Sequence, residues 1–146
     1  MSRGLAVLFG ALMLVAAVSA LPQETGTAAR VAIIVHPTRV VQLSPEDVGR
    51  VYLKKRRFWD DGEPVIAINQ EPGMVARESF SQRVFGSDSA QLGAYWNEQY
   101  FQGILPPITL SSGAAVKRYV AHDRNAIGYI ELSQVDDSIR VVLRLE

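Results

Sequence analysis

The chain contains no cysteine among its 146 residues. That excludes a disulfide framework, thiol redox chemistry and any thiolate-ligated metal. Histidine is nearly as scarce: His36 and His122 lie far apart and neither has a histidine partner at helical spacing, so no His-based metal site is expected. Charge of one sign is also missing, because 15 Lys and Arg balance 15 Asp and Glu. A net field that would recruit nucleic acid or anionic lipid is therefore absent. No Gly-x-x-x-x-Gly-Lys phosphate loop, Gly-x-Gly-x-x-Gly dinucleotide loop or Gly-x-Ser-x-Gly nucleophile elbow occurs. The acids single out no carboxylate pair for glycoside chemistry. The turn acids Asp60-Asp61 and Asp136-Asp137 lack the extra oxygen ligands and the sharp-turn glycine of a calcium loop. These gaps predict a non-catalytic chain with no cofactor and no metal.

What is present is ordinary globular material, 48% hydrophobic and 21% charged. The one long apolar run, Leu5–Val18, follows Arg3 and falls short of the ~20 residues needed to span a bilayer. With Val18-Ser19-Ala20 behind it, the pattern predicts a signal peptide over residues 1–20, cleaved after Ala20. An uncleaved N-terminal anchor is the alternative reading. Residues 21–29 are small and polar and predict a flexible N-terminus, which leaves 30–146 as a single domain. The processed protein is expected to be exported and not integral to the membrane.

Strand and helix signals alternate along that domain. Arg30–His36 is too apolar for a strand with one wet face and predicts a buried central strand ending at Pro37. Ser44-Pro45-Glu46-Asp47 combines a capping hydroxyl, a first-turn proline and two acids, which marks a helix start. A second buried strand is expected over Pro64–Asn69 and a helix over Met74–Val84, the latter ended by Gly86. Ser87-Asp88 opens a further helix, closed by Gly103, whose Leu92, Tyr95, Trp96 and Tyr100 recur at helical spacing and predict a core face. A short strand at Ile108–Leu110, a helix capped by Ser111-Ser112-Gly113, and strands at Ala126–Ile130 and Ile139–Leu145 complete the pattern. The alternation predicts an α/β fold, a mixed sheet of about five strands flanked by about four helices.

Several residues carry a resemblance. The stretch Val51-Tyr52-Leu53-Lys54-Lys55, then Trp59, Asp61-Gly62 and a Pro64-led strand, resembles the substrate-binding proteins of phosphate ABC transporters. Arg77 and Phe80 within Gly73–Phe80, the pair Tyr95-Trp96 and the run Asn125-Ala126-Ile127-Gly128-Tyr129-Ile130 extend that resemblance. The chain from about 30 to 145 is similar to a short, single-lobe branch of the type 2 periplasmic-binding superfamily. The resemblance implies a periplasmic binding protein whose ligand is phosphate or another small oxyanion and whose partner is an ABC transporter or another envelope protein. Where those proteins carry a Ser-Gly-Thr turn at a helix start, this chain has Glu71-Pro72-Gly73-Met74; after the first strand it has His36-Pro37-Thr38.

Two anion cradles are read from the residues themselves. The first is Ser111-Ser112-Gly113, with Thr109 before it and Lys117 one turn in; the second is Gly73 with Arg77. The alternative for the first is an ordinary serine-capped helix start, and for the second that Arg77 and Glu78 are surface charge on a helix face. The run Lys54-Lys55-Arg56-Arg57 either complements a helix C-terminus, with Phe58-Trp59 after it as buried apolar mass, or, with Phe58 and Trp59, forms a partner surface. The rival function is an envelope interaction protein that kept the fold without a ligand, working through that surface or through a homodimer in place of the missing lobe.

Overall fold

A computed structural model describes residues 28–146 of the chain. The expected signal peptide, residues 1–20, and residues 21–27 of the expected flexible N-terminus lie outside the described residues. Five strands form one mixed sheet in the order β3-β2-β4-β1-β5. They are β1 (Val31–Val35), β2 (Ile66–Gln70), β3 (Ile108–Leu110), β4 (Ala126–Glu131) and β5 (Arg140–Leu145). β2 runs parallel to both β3 and β4, whereas β1 is antiparallel to β4 and to β5. The four helices are α1 (Pro45–Tyr52), α2 (Val75–Phe85), α3 (Gly93–Phe101) and α4 (Gly113–His122), and α1, α2 and α4 supply the residues that pack on the sheet. This is the α/β class that the alternation implies.

The unbroken apolar run of β1 follows from its place inside the sheet. Val31, Ile33 and Val35 belong to the cluster that contains Val48 and Tyr52 of α1 and Phe80 of α2. Ala32 and Ile34 belong to the opposite cluster, with Val116 and Val120 of α4. Successive side chains point to opposite faces, so a strand covered on both faces must be apolar at every position.

Helix ends obey the local chemistry. Ser44 and Asp47 cap α1 reciprocally, with Pro45 in the first turn. Ser112 accepts the Ala115 amide at the start of α4, and Gly86 closes α2 at φ +68°. Gly128 lets α4 approach the sheet, because a Cβ there would lie 2.4 Å from Cγ1 of Val116. Ala29, placed by sequence in the flexible leader, is held on both sides: its amide donates to Ser79 Oγ and its carbonyl accepts from Arg83.

One expectation is corrected. The helix opening at Ser87-Asp88 is a 3-10 turn over Ala90–Leu92 followed by α3, and α3 buries no residue. Tyr95 and Trp96 are half-buried, and Tyr100 is 64% exposed. The helical spacing of these aromatics is real, but α3 contributes to neither core cluster and is joined to α1's end by Tyr95 Oη donating to Leu53 O at 2.7 Å.

Candidate functional site

Parallel β2, β3 and β4 end on the same side of the sheet, and α2 and α4 begin there, directly after β2 and β3. In open α/β sheets ligands settle outside the carboxyl ends of the strands, where connections diverge to opposite faces. Here α2 returns over one face and α4 over the other. The two cradles, read 32 or more residues apart in sequence, are brought to adjacent strand ends: Asn69 pairs with Thr109 and Gln70 with Leu110. The loops are joined by the Glu71 amide donating to Leu110 O at 3.2 Å.

On the α4 side, Thr109 and Ser111 are exposed and Ser112 is half-buried. The Ser112 hydroxyl takes the Ala115 amide, and the remaining first-turn donors of the helix are the amides of Gly113 and Ala114. The side-chain carbonyl of Gln134 lies against this turn: a Cβ on Gly113 would sit 2.3 Å from its Oε1. Lys117 does not point free into the crevice. Its Nζ donates to Gln134 O at 3.0 Å and to Asp136 Oδ2 at 2.6 Å. Donation from Lys117, and then from Ser138, holds the Asp136 carboxyl down at about 2.

The α2 side differs. Arg77 is only 8% exposed and donates from Nη1 to Gln70 O at 2.9 Å, with no carboxylate within 4.0 Å among the described residues. Around it runs a buried polar network. Gln70 Nε2 donates to Tyr129 O at 2.9 Å, the Gln70 amide to Tyr129 Oη at 3.1 Å, and Tyr129 Oη to Asn69 Oδ1 at 2.8 Å. Burial pushes the Tyr129 phenol up to about 12, so it stays protonated and keeps donating. Ser81, one turn beyond Arg77, is fully buried and its Oγ has no partner among the described residues. Gly73 meets an internal anion instead of an open cradle: its amide donates to Glu78 Oε1 at 3.0 Å, and Ser89 donates to Glu78 from both amide and hydroxyl. Burial opposes ionisation of Glu78, but the Ser89 and Gly73 donors outweigh it and hold the carboxyl below its ordinary value. The start of α2 is therefore filled by the chain's own carboxylate, whereas the start of α4 meets only the neutral side chain of Gln134, with Gly113 buried beneath it and Ala114 exposed.

Gln134 and Gln70 were not among the residues singled out by sequence, and Tyr129 entered only within the run that carries the resemblance, not as a site residue. Asn69-Gln70 closing an apolar strand and Tyr129 inside one are the signals that mark them: polar atoms carried into a buried layer need partners.

The basic run divides. Lys55 and Arg57 are exposed, Lys54 and Arg56 half-buried, and Arg56 is paired with Asp47 and Asp60. Trp59, expected with this run on a partner surface, is corrected to a core residue at 3% exposure. Its Nε1 donates to Asn125 O at 3.1 Å and the Arg39 guanidinium stacks 4.5 Å above its ring. Phe58 takes the exposed position instead, at 60%.

Among the described residues no group of three or more His, Asp or Glu side chains is placed to hold a metal ion, and no helix is long and apolar enough to cross a membrane. Both histidines bond locally, His36 Nδ1 to Thr38 Oγ1 and His122 Nδ1 to Arg118 O.

No family model and no curated protein matches the chain. Solved structures do. A protein from Clostridium perfringens described as a phosphate ABC transporter substrate-binding protein with bound phosphate matches at TM-score 0.63 and 25% identity, over 79% of this chain and 45% of its own. An ABC-type phosphate transport receptor from Vibrio cholerae matches at TM-score 0.62 and 20% identity, over 79% and 46%. PstS from Borrelia burgdorferi matches at TM-score 0.51 and 16% identity, over 78% and 47%. The chain thus has the fold of one lobe of such proteins and spans about half their length. The first two of these neighbours are described as a substrate-binding protein and a transport receptor.

Proposed function

We propose that this chain is an exported, non-catalytic module that binds a small oxyanion, phosphate in the first instance, at the carboxyl ends of β2 and β3. The observation that carries this reading is the meeting of Thr109, Ser111, Ser112 and Gly113 with the Asn69–Arg77 segment at one sheet end. The fold supports it, since a neighbour of the same fold is described with phosphate bound. The Gly113 and Ala114 amides supply donors and the positive end of α4 supplies field. Gln134 Oε1 swings aside for the ligand, and Lys117 exchanges Asp136 for it. Arg77 acts from beneath as a buried positive charge. Glu78 keeps a negative charge on the α2 side and disfavours large polyanions. The periplasm is the compartment this reading implies, and an ABC transporter the partner.

Isothermal titration of the purified protein with phosphate, and separately with sulfate, tests the reading. It expects saturable binding of one anion in the micromolar range, about −8 kcal/mol. The stoichiometry tells whether one chain or two enclose each ion. Gly113→Ala covers the first-turn amides at a position of ordinary backbone conformation, where only the flexible end of Gln134 must move, and it is expected to weaken binding. Flat titrations of folded protein with both anions overturn the reading.

A further inference from the structure

Lys54 occupies a position that suits glycine. At the end of α1 the Lys55 amide donates to Arg50 O at 2.8 Å and the Lys54 amide to Val51 O at 3.0 Å, the double bond of a helix end that turns left-handed. Lys54 takes that turn at φ +60°, alone among the described non-glycine residues. A side chain with a Cβ is strained there, and such strain persists where the site is used. Its ammonium is also half-buried beside another cation: burial first, then Arg57, lowers its affinity for a proton. Neither Lys54 nor Arg57 has a carboxylate within 4.0 Å among the described residues.

These two cations border a groove of about 360 Å³ whose other walls include Val51, Val65, Ile104 and Leu105. Leu105 is 63% exposed. Phe58, next to Arg57 in the chain, is 60% exposed, and Phe101, two residues before Gly103 of the groove, is 85% exposed. The apolar side chains are spread over the end of α1, the approach to β2 and the segment from Phe101 to Leu105, which suits successive side chains of an extended segment better than one alkyl chain.

We infer that the groove between the end of α1 and the Gly103–Leu105 loop docks an acidic, apolar peptide segment of a partner protein. Its carboxylates would neutralise Lys54 and Arg57, and its apolar side chains would cover Leu105 and Ile104. The repulsion between Lys54 and Arg57 is then a cost of the free protein that the partner's carboxylates offset. This site lies apart from the oxyanion crevice and does not depend on it.

The test is fluorescence anisotropy of a labelled Leu-Glu-Asp-Leu-Phe peptide with the purified protein, against Leu-Lys-Lys-Leu-Phe and against unlabelled dodecanoate as competitor. The acidic peptide is expected to bind and the lysine peptide not to. Lys54→Gly is the decisive variant, because it relieves the left-handed turn: the melting temperature should rise while peptide affinity falls at least tenfold. Leu105→Glu, at an exposed wall position, should also cost at least tenfold, and Arg118→Gln on exposed α4 should cost nothing. Three results overturn the inference: no binding of the acidic peptide at millimolar concentration, equal binding of both peptides, or a Lys54→Gly variant that keeps its affinity. Displacement by dodecanoate with no effect of Leu105→Glu makes the groove an amphiphile site and overturns it as well.

Discussion

Gly128→Ala is the substitution that most sharply probes how α4 is seated. The added methyl would meet Val116 Cγ1 at 2.4 Å and Val120 Cγ2 at 3.2 Å, both on fully buried side chains. Neither is the loose end of a long chain, so the helix itself must lift. Overpacking of this kind costs about 1–3 kcal/mol. At about 4 °C per kcal/mol for a domain of this size, the melting temperature should fall by about 4–12 °C. Calorimetry of Gly128→Ala, Val116→Ala and the double variant reads the contact itself. Val116→Ala alone loses two methyl groups, about 1.6 kcal/mol of transfer energy or more with the cavity. In the double variant the new methyl fills the vacated space, so the two losses should fall short of their sum by about 1 kcal/mol or more. Because Gly113 lies one turn from Val116, the single Gly128→Ala variant should also weaken anion binding. An unchanged melting temperature for Gly128→Ala, or strictly additive losses, refutes the argument that the missing side chain sets the distance of α4 from the sheet.

Two further outcomes follow from the same contacts. Ser81→Ala removes a fully buried hydroxyl with no partner among the described residues and substitutes a better helix former, so stability should hold or rise by up to about 1 kcal/mol; urea melts showing a loss of that size would mean the hydroxyl is satisfied. The carboxyl of Asp136 is held down at about 2 by Lys117 and Ser138, so the unfolded chain binds its proton first on acidification. The stability it contributes is complete above about pH 4 and is lost as pH falls toward 2, and urea melts across that window should show a slope that Asp136→Asn flattens.

The fold was largely legible because its strongest signals are local. Val31–Val35 reads as buried on both faces from composition alone, and Ser44, Pro45 and Asp47 announce a helix start through bonds that span three residues. The start of α4 is legible for the same reason, through Ser112 and Ala115. The exposure of α3 is not legible, because helical spacing reports that one face is apolar and not what lies against it. The polar network was out of reach for a related reason: Tyr129 sits in an apolar run, and its partners Asn69 and Gln70 lie 60 and 59 residues away. Glu78 was visible as a charge, but its capture of Ser89 depends on how α2 ends, with Gly86 turning the chain back, and its bond to the Gly73 amide on how α2 begins. That the two cradles share one sheet end is a property of topology, set by β3 adding to β2 in parallel.

The central claim is tested most directly by following the backbone amides of the purified protein by heteronuclear NMR as phosphate is added. The account predicts saturable shifts concentrated at Gly113 and Ala114, with smaller ones at Thr109 and Gln134 and none at Lys54–Arg57. Shifts confined to the basic run, or a spectrum that phosphate leaves unchanged, would contradict it.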